Sequence, residues 1–351
     1  MAISSGVAPH RAWLQAGGQW PIEHGHAEQT ADRSSGTFNV SIPLSYPGAE
    51  AFFSTTGATQ GSVVVSSHGI TDTLLTGELD ECAINYINRT INVTGRDASA
   101  QLHQQKSSEK WQNKKGEDII SDLAGRVGLG FSGSGVSKLM AGKLLMQDYV
   151  KLSDNVSFGY IIQKLAEFDG ARWFVKGNTL HYVSKGDSSG VYTINYSPPS
   201  PGRFERGDFL NLEIVRNLQA SKTIGVQVQS WHPKDKRTYT AQFTIPGIGG
   251  TLKYNYNLPN LKQDHVEQYA QSRAQEHARH GITVHAHLVG DPSIDIGMGL
   301  QLNGTGYFDG PYTMDSITHE FGMHGHTMTI IAKLPDESSG GATVGEQVQG
   351  S

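Results

Sequence analysis

Three His-x-His pairs, His24/His26, His285/His287 and His324/His326, are the residues whose types and spacing first suggest chemistry. On a strand, positions i and i+2 share a face, so each pair presents two imidazoles that one metal ion could take. No third ligand stands at a defined spacing from any pair, so each is read as polar surface and no bound metal is expected. His277 and His280 lie one helical turn apart and are read as a solvated helix face. The stretch HEFGMH, His319 to His324, has its histidines five apart, whereas a zinc protease helix needs them four apart with Glu between. GLGFSG, Gly128 to Gly133, fits G-x-G-x-x-G in letters, but it follows a helical pattern rather than a strand and is read as a loop.

Carboxylates cluster between Gly95 and Gly130, in GRDASAQLHQQKSSEKWQNKKGEDIISDLAGRVGLG. A glycoside hydrolase would need two of Asp97, Glu109, Glu117 and Asp118 held across a cleft. No segment of spare length remains to build that cleft. Asp97 is expected to be a structural partner of Arg96 or of a backbone turn. Glu117 and Asp118 suit the first turn of a helix, where the dipole favours negative charge. Trp111 is expected to be an anchor that packs between a β domain and the neighbouring module. No catalytic residue and no cofactor is expected.

The elements that would position these residues alternate in kind. Among 351 residues there are 42 Gly, 13 Pro and a single Cys, which together indicate a β-rich chain with many turns and no internal disulfide or Cys-type zinc site. Cys82 is expected to be a small buried apolar residue of a strand. The net charge of −5 supplies no basic footprint for nucleic acid and no polybasic membrane anchor. No apolar run of about 18 residues occurs, so no stable membrane insertion is expected. The N-terminal residues lack the apolar core of a signal peptide, which points to synthesis in a cytoplasm.

Residues 1–97 read as a first β domain. GTFNVSIPL alternates Phe38, Val40, Ile42 and Leu44, and turns are expected at Gly77 and at Asn88-Arg89. Residues 98–190 read as an α+β module. A helix carries Ile119, Ile120, Leu123, Ala124 and Val127 and is capped by Gly128. A second helix is capped from Ser153, Asp154 or Asn155, its end is fixed by packing or by Gly170, and a hairpin turns at Lys176-Gly177-Asn178. Residues 191–209 are Pro/Gly/Ser-rich and read as a linker. Residues 210–335 read as a second β domain with one helix at about 261–280, and 336–351 as a flexible polar tail. The fold class is mainly β with an α+β insertion.

The stretch from LLTGELDECAINYINRTINVTGRD to AGRVGL resembles the baseplate hub family of contractile phage tails, the late control gene D type, related to the hub part of type VI secretion spikes. In that family a first barrel ends in a strand leading to GRD. A polar stretch with an aromatic residue and Asn then leads to a helix closing in a G-L turn. The matching residues are Gly95, Arg96, Asp97, Lys106, Ser108, Trp111, Asn113 and Gly128-Leu129. LAEFDGARWFVKGNTLHYV is similar to a further family segment, with a departure at Phe158-Gly159-Tyr160, where a Trp is common. VQVQSWHPKDKRTY, with Trp231, resembles the start of the second barrel. NLKQDHVEQYAQSRAQEHARHG resembles its helix, and GYFDGPYTMDSITHEFGMHGHTMTI, with Phe308 and Asp309, its closing strands.

The resemblance implies two tube-like β-barrel domains per chain. It implies a homotrimer forming a pseudo-sixfold ring, with the tail tube or a distal tail protein above and a spike protein below. Baseplate wedge and tape measure proteins are further implied partners, and DNA would pass through the lumen without sequence-specific binding. The implied place is the virion tail baseplate, assembled in the bacterial host cytoplasm, and the implied role is structural rather than enzymatic. The alternatives are a tail-associated peptidoglycan hydrolase, or the hub part of a type VI-like secretion spike. The end of the chain at Ser351, without a spike-like β region, favours a hub with a separate spike protein.

Overall fold

The computed structural model describes residues 10–139 and 155–335, apart from 33, 56, 58, 59, 110, 112, 113, 234 and 324. The expected flexible tail, His324, Asn113, and the cap candidates Ser153 and Asp154 lie outside the described residues.

The N-terminal segment is built from β1 (Arg11–Gln15), β2 (Gln19–Pro21), β3 (His24–Thr30), β4 (Thr37–Pro43), helix α1 (Ala49–Thr55), β5 (Gln60–Ser67), β6 (Ile70–Asn85) and β7 (Thr90–Asp97). Period-two alternation puts Phe38, Val40 and Ile42 of β4 on one face, and they meet Leu14, Val63, Ile91 and Val93 in a single core. β6 runs straight through Gly77, correcting the turn expected there. A Cβ at Gly77 would sit 1.8 Å from the Arg96 carbonyl oxygen, so glycine serves close strand approach rather than chain reversal. The turn at Asn88-Arg89 is present, with Arg89 at φ 55. Cys82 is exposed, not buried, because residues 80–83 belong to a part of β6 that overhangs the core beyond a register shift between Leu79 and Glu81.

The middle module contains α2 (Ala100–Gln104), β8 (Lys106–Ser107), α3 (Gly116–Arg126), β9 (Gly130–Gly133), β10 (Val156–Ser157), α4 (Phe158–Asp169), β11 (Ala171–Lys176) and β12 (Thr179–Ser184). The helical periodicity of α3 and α4 brings Ile119, Ile120 and Leu123 against Phe158, Ile162 and Leu165, over Trp173 and Leu180. Gly128, at φ 75, follows α3 while the Leu129 N–H donates to the Ala124 carbonyl, the hydrogen bond of a glycine helix stop. Ser157 is the cap of α4, accepting from the Tyr160 N–H at 3.2 Å, and Gly170 ends that helix at φ 67. The GLGFSG loop reading is corrected. Its last four residues form β9, which runs parallel to β12.

The C-terminal segment contains β13 (Val191–Ser197), β14 (Arg206–Gly207), β15 (Asn211–Arg216), β16 (Thr223–His232), β17 (Arg237–Ile245), β18 (Thr251–Asn257), α5 (Gln263–Arg279), β19 (Ile282–Val289), β20 (Gly299–Asn303), β21 (Gly310–Gly322) and β22 (Gly325–Lys333). The 191–209 segment is more than a linker. β13 pairs in parallel with β20, and Ile194 is buried in the core. Its alternating Tyr192, Ile194 and Tyr196 form a strand that the flanking Pro, Gly and Ser masked in a compositional reading.

Fourteen strands join in one sheet. Along its main path the order is β14-β13-β20-β21-β3-β4-β7-β6-β5-β1-β2, and β22, β19 and β15 branch from β21. β21 pairs with β3, from Ser316 opposite Thr30 to Gly322 opposite His24, so strands of the two β segments share one hydrogen-bonded network. Among the described residues no sheet closes into a barrel. A separate three-stranded sheet, β17-β16-β18, is backed by α5.

Candidate functional site

The GRD residues do three different structural jobs at the exit of β7. A Cβ on Gly95 would stand 2.3 Å from Cζ of Phe38 and 2.4 Å from the Glu78 carbonyl oxygen. The position therefore takes only glycine without a shift of the sheet, and Gly95→Ala is expected to cost about 1–3 kcal/mol, read by urea unfolding. Arg96 does not pair with Asp97. It forks onto the Asp80 carboxylate with bonds of 2.7 and 2.6 Å across the β6–β7 ladder. The buried Asp97 carboxylate accepts from the Gly36 N–H (3.0 Å), the Ser99 N–H (3.0 Å) and the Ser99 hydroxyl. Burial raises its pKa, which these three donors oppose. The backbone-turn half of the expectation for Asp97 holds, and the Arg96 half does not.

The other three carboxylates are likewise engaged. Glu109 forms a bidentate pair with Arg126 at 2.7 and 2.8 Å. Glu117 accepts from the Val136 N–H at 2.8 Å, and Asp118 accepts from the Lys115 N–H at 3.2 Å. Trp111 is 5% exposed and packs into the core of the middle module. Asp309 accepts from the Thr305 N–H and hydroxyl, Phe308 is half-buried, and Trp231 is 54% exposed.

The feature that binds the three segments together was not visible as a motif. Arg172, in the otherwise apolar run ARWFV of β11, is 2% exposed. Its guanidinium donates to the carbonyls of Ile296 (3.1 Å) and Met314 (2.7 Å). Asp32, just after β3, accepts from the Trp173 N–H at 3.1 Å, and its own N–H donates to the Trp173 carbonyl at 2.8 Å. Desolvation raises the Asp32 carboxyl pKa, and the charge of Arg172 opposes that rise. Nearby, Lys185 pairs with Glu276 at 2.5 Å, and Arg279 pairs with Asp315 at 2.8 Å. Lys333 completes the set on Asp315, a residue aimed by the β-bulge between Met314 and Ser316. Burial acts to raise the Glu276 pKa, but His280, Lys185 and Arg279 outweigh it, and the carboxyl is held well below its ordinary range. The feature's one trace in the sequence is a charge inside an otherwise apolar strand run.

The histidines sort differently from their spacing. His24 and His26 are exposed on β3, and His285 and His287 are half-buried on β19. His277 is not on a solvated face. It stacks on Tyr254 at 3.8 Å and bonds the Tyr256 hydroxyl at 2.8 Å. The buried pair is His319 with His326, across the β21–β22 hairpin, Nδ1 to Nε2 at 3.0 Å, with His10 stacked on His326 at 5.6 Å. Among the described residues His319 Nε2 and His326 Nδ1 have no hydrogen-bond partner. Among the described residues no group of three His, Cys, Asp or Glu is arranged to hold a metal ion, and no helix is long and apolar enough to cross a membrane.

No family model matches the chain, and no curated protein matches it. Solved structures do. The 43 kDa tail protein of prophage MuSo2 from Shewanella oneidensis superposes with a TM-score of 0.67 at 13% identity, over 93% of this chain and 99% of that one. The tail protein from Neisseria meningitidis MC58 matches with a TM-score of 0.68 at 10% identity, over 92% and 96%. An Escherichia coli component of the type VI secretion system, described as structurally similar to the T4 bacteriophage tail proteins gp27 and gp5, matches with a TM-score of 0.52 at 9% identity, over 94% and 79%. The chain thus has the fold of phage tail proteins and of spike-related proteins of type VI secretion, consistent with the hub-like protein that its sequence resembles.

Proposed function

We propose that the chain is a structural baseplate hub of a contractile phage tail. Three copies form a pseudo-sixfold ring that joins the tail tube or a distal tail protein to a spike protein and leaves a channel for DNA. The observation that carries this reading is a fold shared along nearly the whole length of both this chain and a phage tail protein. Two further features support it. The described sheet ends in free edges at β2, β14 and β15, and closing a ring by subunit pairing covers such edges. Large apolar side chains stand exposed at loop tips, Ile87 at 94%, Phe204 at 94% and Met323 at 93%, as contact anchors would. In this reading the β segments 1–97 and 210–335 are the two tube-like domains of each chain, and 98–190 braces them. A net charge of −5, where it faces the channel, disfavours adhesion of DNA. The protein acts by geometry and needs no catalysis.

Native mass spectrometry of the purified chain, followed by image averaging, tests this. A trimer with a central hole and a near-sixfold outline is the expected result. A compact monomer that clears peptidoglycan would overturn it in favour of a tail-associated hydrolase. The match with the Escherichia coli secretion component favours a second reading, the hub part of a type VI-like spike. Recovery of the chain in DNA-filled tailed particles supports the first reading over the second.

A further inference from the structure

The sheet β17-β16-β18 has two unlike faces. Val226, Val228 and Phe243 point inward to Val266, Ala270 and Ala274 of α5. The opposite face looks to solvent and is built in cross-strand rows. One row is Gln242–Gln227–Asn255 and the next is Thr240–Gln229–Asn257, continued by Thr238 opposite Trp231. Strand spacings make this surface roughly 20 Å long and 10 Å wide.

Five primary amides therefore stand on one face, and among the described residues none of their side chains has a hydrogen-bond partner. Each carries two donors and an acceptor, so the face offers a regular array of both kinds. Within the rows the charge is confined to Lys253, in the row Thr244–Gly225–Lys253, and the turn beyond Trp231 adds exposed Asp235, Lys236 and Arg237 of mixed sign. At its end lies the most exposed indole of the chain. Trp231 is 54% exposed, while Trp20, Trp111 and Trp173 are buried and Trp13 is half-buried.

This chemistry selects among occupants. Nucleic acid calls for Lys and Arg along the whole surface, and the rows of this face hold one lysine, with Lys236 and Arg237 only at the turn beyond Trp231. A protein interface core calls for several aromatic or aliphatic anchors depleted of polar groups, and this face has one anchor among amides. A membrane surface calls for an apolar or basic face. A sugar chain has hydroxyls that donate and accept at once, as amides do, and polarised C–H groups that settle on the electron-rich face of an indole. We infer that the outer face of β17-β16-β18 is a binding surface for a neutral glycan chain, with Trp231 as stacking platform and Gln227, Gln229, Gln242 and Asn257 as hydrogen-bonding partners. This goes beyond the hub reading and stands without it.

The test uses the full chain with chitotetraose as the probe. Calorimetry should give a saturable heat, and acrylamide quenching of the tryptophan fluorescence should fall as the sugar protects Trp231. Trp231→Ala should abolish the heat. The pair Gln229→Ala/Gln242→Ala should weaken binding at least tenfold. Thermal unfolding should be unchanged in both variants, since Trp231, Gln229 and Gln242 are exposed and join no core cluster among the described residues. An unchanged heat in Trp231→Ala would overturn the assignment. So would silence from chitotetraose, cellotetraose and maltotetraose at about 10 mM, ten times a millimolar dissociation constant. Protection of Trp231 that grows with protein concentration alone would also overturn it, and would make the face a contact between copies of this chain.

Discussion

Arg172→Met is expected to cost the fold about 3–5 kcal/mol, the order expected when two buried carbonyls lose a charged donor. The methionine fills a similar volume, so the loss reports charge and hydrogen bonding rather than a cavity. Two carbonyls, of Ile296 and Met314, would lose their donor, and Asp32 would lose the charge that offsets its desolvation. Urea unfolding followed by circular dichroism measures the cost. Asp32→Asn in the Arg172→Met background should recover part of it, because an amide no longer needs a countercharge. A cost under about 1 kcal/mol in the single variant would show that the segments dock by apolar packing alone. Because Arg172 reaches a carbonyl 142 residues away in sequence, its loss should also loosen the middle module from β21. Faster hydrogen exchange confined to that junction is the second readout.

Acid should weaken the protein through His319 and His326 at a pH where carboxylates alone would leave it intact. Burial, with the nearby charge of His326, lowers the His319 pKa to about 3. Burial, with His10 and His68, lowers that of His326 to about 4, and Asp291 opposes the shift. The ordinary value for both is 6.5. The unfolded chain therefore binds more protons than the folded one between about pH 6.5 and pH 3–4. Stability contributed by the neutral pair is complete above about pH 6.5, falls as the pH drops below it, and levels off near the folded values. By pH 5 the loss is about 2 kcal/mol for each imidazole. Asp97 and Asp32 have raised pKa values, and their linkage runs the other way, so they do not mimic the effect. Denaturant unfolding at pH 7.5 and pH 5.0 tests it. The difference between the two pH values should shrink by about 2 kcal/mol in His319→Leu, the share of one imidazole, while His10, His103, His181 and His277, whose pKa values burial also lowers, keep theirs. An unchanged difference would place the acid sensitivity elsewhere.

The sequence by itself determined the local elements, because the forces that choose them act within a few residues. Alternation in GTFNVSIPL specified a half-buried strand, and the 3.6-residue spacing of Ile119, Ile120 and Leu123 specified a helix. Gly128 and Gly170 marked helix ends because each residue sits in the left-handed region that glycine enters without strain. The order of GRD, aromatic tether and helix was also enough to suggest a tail-protein fold, and solved tail proteins share the fold observed. Only the tertiary structure decided which segments meet. Gly77 reads as a turn until β7 is laid against it, and Cys82 reads as buried until β6 is seen to overhang the core. Strand β13 is hidden in a linker composition until β20 supplies its partner. Arg172 and the His319–His326 pair carry no spacing signature, since their partners lie on other elements. Their roles come from burial, which is a property of the packed whole: removing water makes an unpaired charge or imidazolium costly, and it does so only once distant segments close around it.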